Sequence, residues 1–175
     1  MALVIIPAPF MAPFFWPDAP GGINRGFNAS AAASVTAPFV SVVDVKAGDP
    51  DMDAAIARAR TRLQAFFGRA DQPEQGESAF AVKVALPTRA GTLEHIWATQ
   101  FVRIGTDRYQ GQVANQPVNV DGIKIGSVIE FGEGQISDWM FRRDGKIVGY
   151  ETLRPLLKGM PERQAASLRM QLASN

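Results

Sequence analysis

With 175 residues, 46% apolar and 20% charged, the sequence sits in the ordinary globular range and is long enough to bury one sizeable core. A formal net charge of +1 supplies no basic excess to neutralise phosphates, which argues against a nucleic-acid partner. The absence of cysteine removes disulfides, thiol catalysis and cysteine-ligated zinc, and a single histidine leaves a metal little but carboxylates. No metal and no cofactor is therefore expected.

The chain opens with Met1 to Trp16, an apolar run without charge that is broken by Pro7, Pro9 and Pro13. It is too short to cross a bilayer and lacks the basic start of a secretory signal. Small residues from Asn28 to Ser34 resemble those near cleavage sites. Residues 1–37 are read as a flexible or processed leader, with an extended arm packing on the domain or a partner as the rival reading. Residues 38–175 are read as one domain. Phe39-Val40-Ser41-Val42-Val43-Asp44-Val45 is short and β-branched, a strand signal followed by a turn at Ala47–Pro50.

The strongest helix pattern comes next. Asp49 is placed to cap it, Pro50 suits the first helical position, and Asp51 and Asp53 suit the positive end of the helix dipole. Met52, Ala55, Ile56, Ala59, Leu63, Phe66 and Phe67 fall on one face, which predicts a single amphipathic helix over 52–67. Gly68 is expected to end it in a left-handed conformation.

From Ala79 the period changes to two. Phe80, Val82, Val84 and Leu86 share one face, with Lys83 among alanines on the other. Further strands are predicted at 92–103, 108–114, 127–131, 135–142 and 146–150, the last two joined by a hairpin turn at Asp144-Gly145. Leu153 to Met160 returns to helical spacing, and after Pro161 an apolar stripe of Ala165, Leu168 and Leu172 continues it. Short strands with tight turns predict an antiparallel meander.

The candidate chemistry centres on Glu94-His95-Ile96-Trp97 and Ile136-Ser137-Asp138-Trp139-Met140. On a strand, neighbours point to opposite faces, so Glu94 and His95 cannot form a dyad unless a bulge re-aims one of them. His95 shares a face with Leu93 and Trp97, where a histidine is usually satisfied by ordinary sheet hydrogen bonds. Its functional reading is a general base whose carboxylate partner comes from another strand, with Asp138 the leading candidate. Alternation places Ile136, Asp138 and Met140 together, and an aspartate between apolar residues must be paired or hydrogen-bonded. Trp97 and Trp139 are expected in the core, or as a ligand platform with Asn115 if they line a concave face. Ser137 and Ser78 are available hydroxyls, but nothing in the sequence activates them.

The order of these motifs, from Asp51-Met52-Asp53-Ala54-Ala55-Ile56 through Phe80-Ala81-Val82-Lys83-Val84, Glu94-His95-Ile96-Trp97, Asn115-Gln116-Pro117, Gly122-Ile123-Lys124-Ile125-Gly126 and Ile136-Ser137-Asp138-Trp139-Met140, resembles the YegJ-like family of bacterial proteins, domain of unknown function 2314. The resemblance covers roughly residues 40–172, and Leu153-Arg154-Pro155-Leu156-Leu157 resembles the longer members. It implies no catalytic role for Glu94, His95 or Asp138. Longer members look exported in Gram-negative bacteria, so it sets a periplasmic location beside a cytoplasmic one.

The expected fold is α+β: a curved antiparallel sheet of five to six strands, one long N-terminal helix and C-terminal helices. Apolar residues on both strand faces suggest a sheet partly closed like a barrel. Two functions are carried forward. One is a non-enzymatic binding or accessory domain with a protein or small-molecule partner. The other is a small hydrolase- or lyase-like enzyme using His95 with Asp138 or Glu94.

Overall fold

The computed structural model describes residues 48–174, so the strand expected at Phe39–Val45 and the leader reading of 1–37 lie outside the described residues. Helix α1 spans Pro50–Thr61. Asp49 caps it as expected, its Oδ1 accepting from the Asp51 and Met52 amides at 2.9 and 3.1 Å. The single helix predicted over 52–67 is instead two. Arg62 leaves helical geometry (φ −106°, ψ 4°), and α2 then runs from Leu63 to Asp71. Gly68 does not end it: it lies inside α2. The break re-aims the second helix so that Leu63, Phe66 and Phe67 point into the sheet.

Six strands follow in one sheet: β1 Glu77–Pro87, β2 Leu93–Arg103, β3 Arg108–Val113, β4 Val128–Gly132, β5 Ile136–Arg143 and β6 Lys146–Gly149. Their order is β4-β3-β2-β1-β5-β6, with all five neighbour pairs antiparallel. The β5–β6 turn is made as its sequence predicts, with Asp144 at φ 51° and Gly145 at φ 79°. After β6 come a short helix α3 (Leu153–Leu156), a 3-10 turn at Leu157–Gly159, and α4 (Glu162–Gln171).

The expected barrel-like closure is not found. β4 and β6 form separate edges, and the sheet is open. Apolar residues occupy both strand faces for a different reason: helices cover both. On one side Val82, Val84, Leu86, Ile96, Ala98 and Trp139 pack with Phe66 and Phe67 of α2. On the other, Ala81, Trp97 and Met140 pack with Leu153, Leu157, Met160 and Leu168 of the C-terminal segment. Each fully buried large side chain contributes roughly 1.5–3 kcal/mol, so both helical layers carry substantial stability.

Two local features shape the centre. A bulge in β5 shifts its register against β1, with Lys83 opposite Asp138 but Val84 opposite Ile136. Ser137 is the extra residue. The strict alternation expected for 136–140 is therefore interrupted: Asp138 and Met140 face the C-terminal helices, while Ile136 joins Trp139 and Phe141 on the α2 side. Gly149 ends β6 at φ 81°, and a Cβ there would lie 2.5 Å from the Trp139 carbonyl oxygen. The chain consequently peels away from β5, and α1 takes up the vacated edge. Arg60 donates from Nε to the Ile136 carbonyl at 3.0 Å and from Nη2 to the Gly134 carbonyl at 2.9 Å. Trp139 Nε1 donates to the Ala59 carbonyl at 2.8 Å.

Candidate functional site

The polar centre of the molecule is built around Asp138, on the sheet face under the C-terminal segment. The residue is fully buried. Its Oδ1 accepts from the Trp139 amide at 2.9 Å and the Glu151 amide at 3.1 Å. Its Oδ2 accepts from the Thr152 amide at 2.8 Å and the Thr152 hydroxyl at 2.6 Å. The turn that follows Gly149 thus wraps its amides around the carboxylate, as a buried acceptor requires.

Lys83 completes the arrangement from β1. Its Nζ donates to Thr152 Oγ1 at 2.7 Å, so the hydroxyl relays between ammonium and carboxylate. The same Nζ lies 4.9 Å from the Trp97 ring centroid and 5.0 Å from that of Tyr150, with the two rings packed edge to face. Burial pushes the Lys83 ammonium down to about 8, with the Asp138 charge opposing the shift. Burial likewise raises Asp138, against the pull of Lys83 and its own hydrogen bonds. The two form a buried charge pair linked through Thr152.

His95 lies at the neighbouring end of the sheet. It stands opposite Ala85 in register, and its Nδ1 is 2.8 Å from Ser137 Oγ, which also donates to the Lys83 carbonyl at 3.2 Å. The bulge in β5 and the small side chain at Ala85 together let this contact cross over β1. Burial, with Lys83 and Arg60 adding positive charge, holds the imidazole down at about 4, so it is neutral near pH 7.

Glu94 points to the opposite face, as the alternation requires. Its two oxygens accept the Val118 amide at 2.7 Å and the Asn119 amide at 2.6 Å, clamping the long loop between β3 and β4. Asn115 holds the start of that loop: its Oδ1 accepts the Trp97 amide at 2.6 Å. Both residues act on backbone.

Of the sequence-derived candidates, His95 and Asp138 share a face and Glu94 does not. Among the described residues no hydrogen bond joins His95 to either carboxylate; its partner is Ser137. The two indoles do not meet, because Trp97 packs under the C-terminal helices and Trp139 stacks on Phe66 at 5.0 Å on the other side. Lys83, Thr152 and Tyr150 were not among the candidates. A lysine flanked by alanines on an otherwise apolar face was the available signal for Lys83. Nothing local marks Thr152, which reaches the site only because Gly149 turns the chain.

Two hollows in the described surface lie away from these groups. One, of about 340 Å³, is lined by Arg154, Leu157, Arg169 and Leu172; the other, of about 260 Å³, by Gln100, Val102, Gln110, Gln112 and Val128. Among the described residues no group of His, Asp and Glu is arranged to hold a metal, and no helix is long and apolar enough to cross a membrane.

An open, helix-flanked antiparallel sheet with a buried Lys–Thr–Asp centre defines an α+β domain. Residues 49–172 match the family described as "Uncharacterized protein conserved in bacteria (DUF2314)", and the chain belongs to that family of bacterial proteins. It is also similar to "Uncharacterized protein YegJ" of Escherichia coli (strain K12), 33% identical over 121 residues, covering 69% of this chain and 76% of that one. No solved structure matches the chain.

Proposed function

We propose that the protein is a non-enzymatic binding or accessory module. The observation that carries this reading is the saturation of Asp138: four donors occupy its carboxylate, and its lysine partner is enclosed by two rings and a hydroxyl. A general base or nucleophile needs a lone pair open to substrate, and here the lone pairs hold the fold. Glu94 and Asn115 are engaged by backbone amides in the same way. The open hollow on β2, β3 and β4 is lined by amides and valines without a charge, which suits a protein or small-molecule partner and not nucleic acid.

The competing reading is hydrolase- or lyase-like chemistry at His95. The Ser137–His95 contact favours it, because it pairs a hydroxyl with a neutral imidazole. Against it stands the burial of Ser137, which is only 2% exposed. The two readings separate in one experiment. Wild type, His95→Ala and Asp138→Asn are compared for melting temperature and for turnover of ester, phosphoester and glycoside panels. The binding reading expects both variants to lose stability and no turnover to track His95. Wild-type turnover abolished in His95→Ala at an unchanged melting temperature would overturn it.

A further inference from the structure

Arg142, near the end of β5, is the one arginine buried among the described residues, at 9% exposure. A guanidinium stays charged when enclosed, so taking it out of water calls for a counter-charge and several acceptors. Arg58, Arg108 and Arg143 are far more exposed, and each meets a carboxylate. Arg142 has no ion pair among the described residues. Its one hydrogen bond runs from Nη1 to the Gly145 carbonyl at 2.9 Å. Nε is enclosed without a partner, and Nη2, also without one, reaches the surface.

These free donors form one edge. Nη1 is tied to the β5–β6 turn, which leaves Nε and Nη2 side by side. Arg143 uses the same two nitrogens to hold Glu77 Oε1, at 2.9 and 2.8 Å. This edge takes a carboxylate through two parallel hydrogen bonds. The nearby acids leave it empty: Asp144 turns its Oδ1 towards Gly76, and Glu77 is held by Arg69 and Arg143.

β1 supplies a further donor. Ser78 stands directly opposite Arg142 and is exposed, and its hydroxyl makes no hydrogen bond among the described residues. A bulge puts it there. The β1–β5 register slips between Ser78 and Ala81, and within the slip Ala79 adopts φ 54°, a left-handed conformation unfavourable for a residue with a side chain. Straight pairing from Ala81 would set the Ala79 methyl opposite Arg142; the strained bulge sets a hydroxyl there instead. Strain of this kind gathers at ligand sites.

We infer that Arg142 and Ser78 form a binding site for a carboxylate. Nη2 is the point of entry, a small swing of the side chain brings Nε to the second oxygen, and Ser78 Oγ donates to one of the two. The narrow opening suits a planar group, and the charges of Asp144 and Glu77 nearby disfavour a phosphate dianion. The carboxylate belongs to a small organic acid or to a peptide. This site shares no residue with the Lys83–Asp138 centre or with either hollow, and it does not depend on the binding role proposed above.

The test titrates the full nitrogen-labelled chain with acetate, with trialanine and with its C-terminal amide, at ionic strength held constant by chloride. The Arg142 Nε–Hε resonance, identified by its loss in Arg142→Met or Arg142→Lys, should move saturably with acetate, in the millimolar range that so small a ligand allows. Ser78→Ala, at an exposed position, should weaken binding about threefold or more. Tighter binding of trialanine would assign the carboxylate to a peptide, and tighter binding of acetate to a small acid; either supports the site. An equal response to chloride or to the amidated peptide, or saturation by inorganic phosphate at lower concentration than acetate, would overturn it. Melting gives a second readout. Arg142→Met removes an unpaired buried charge, so it should melt above wild type without acetate and gain nothing from it, whereas acetate should raise wild type. A variant melting below a wild type that acetate leaves unmoved would mean that the guanidinium only holds the Gly145 turn, and the inference would fall.

Discussion

Replacing Asp138 by asparagine keeps the shape of the side chain and removes its charge and half its acceptor capacity. In the native site each carboxylate oxygen accepts two hydrogen bonds. The amide's NH2 group must face one of those donor pairs, and each buried donor left without an acceptor costs about 1–3 kcal/mol. Lys83 also loses its counter-charge in a buried position, a kind of change that costs about 3–5 kcal/mol. These contributions overlap, because Lys83 can shed its proton, and a net loss of about 4 kcal/mol is expected. For a domain of this size that lowers the melting temperature by about 10–15 °C. The assay is urea unfolding with a shared slope, repeated across pH.

The sign of the pH effect follows from Lys83. Its folded value of about 8 lies below the ordinary 10.5, so between those values the unfolded chain binds the extra proton. Stability therefore rises with pH across that window, by up to about 3 kcal/mol in the wild type. In Asp138→Asn the opposing charge is gone, the lysine falls further, and the rise starts at lower pH. A variant within about 1 kcal/mol of wild type at pH 7, with an unshifted window, would refute the claim that this carboxylate organises the centre.

The imidazole of His95 gives the same sign at lower pH. Its folded value of about 4 lies below the ordinary 6.5, so the unfolded state takes the proton first and stability falls as pH drops from 6.5 towards 4. The loss should approach about 3 kcal/mol, and His95→Gln should flatten that part of the profile; parallel profiles would sink the assignment. Glu94→Gln places an NH2 group against either the Val118 or the Asn119 amide and should cost about 1–3 kcal/mol. Hydrogen exchange should then quicken in the 114–127 loop while β1 and β5 stay protected, and unchanged protection at Asn119 would refute the clamp.

Local chemistry alone determined much of this protein. The Asp49 cap, the Asp144-Gly145 turn, the alternation in β1 and the opposed directions of Glu94 and His95 depend on residues close in sequence, and each is found where its pattern places it. Apolar periodicity located the strands because it reports burial. It could not say what does the burying, so two-sided patterning was read as a closing barrel when helices cover both faces of an open sheet. The break at Arg62 was likewise hidden, since the apolar face continues through it. The polar centre was decided by tertiary structure. Asp138 needed the β5 bulge to aim it, Gly149 to turn the chain, and Thr152, 14 residues on, to join it to a lysine from another strand. Hydrogen bonds between distant residues leave no period in a sequence, and the site is made of them.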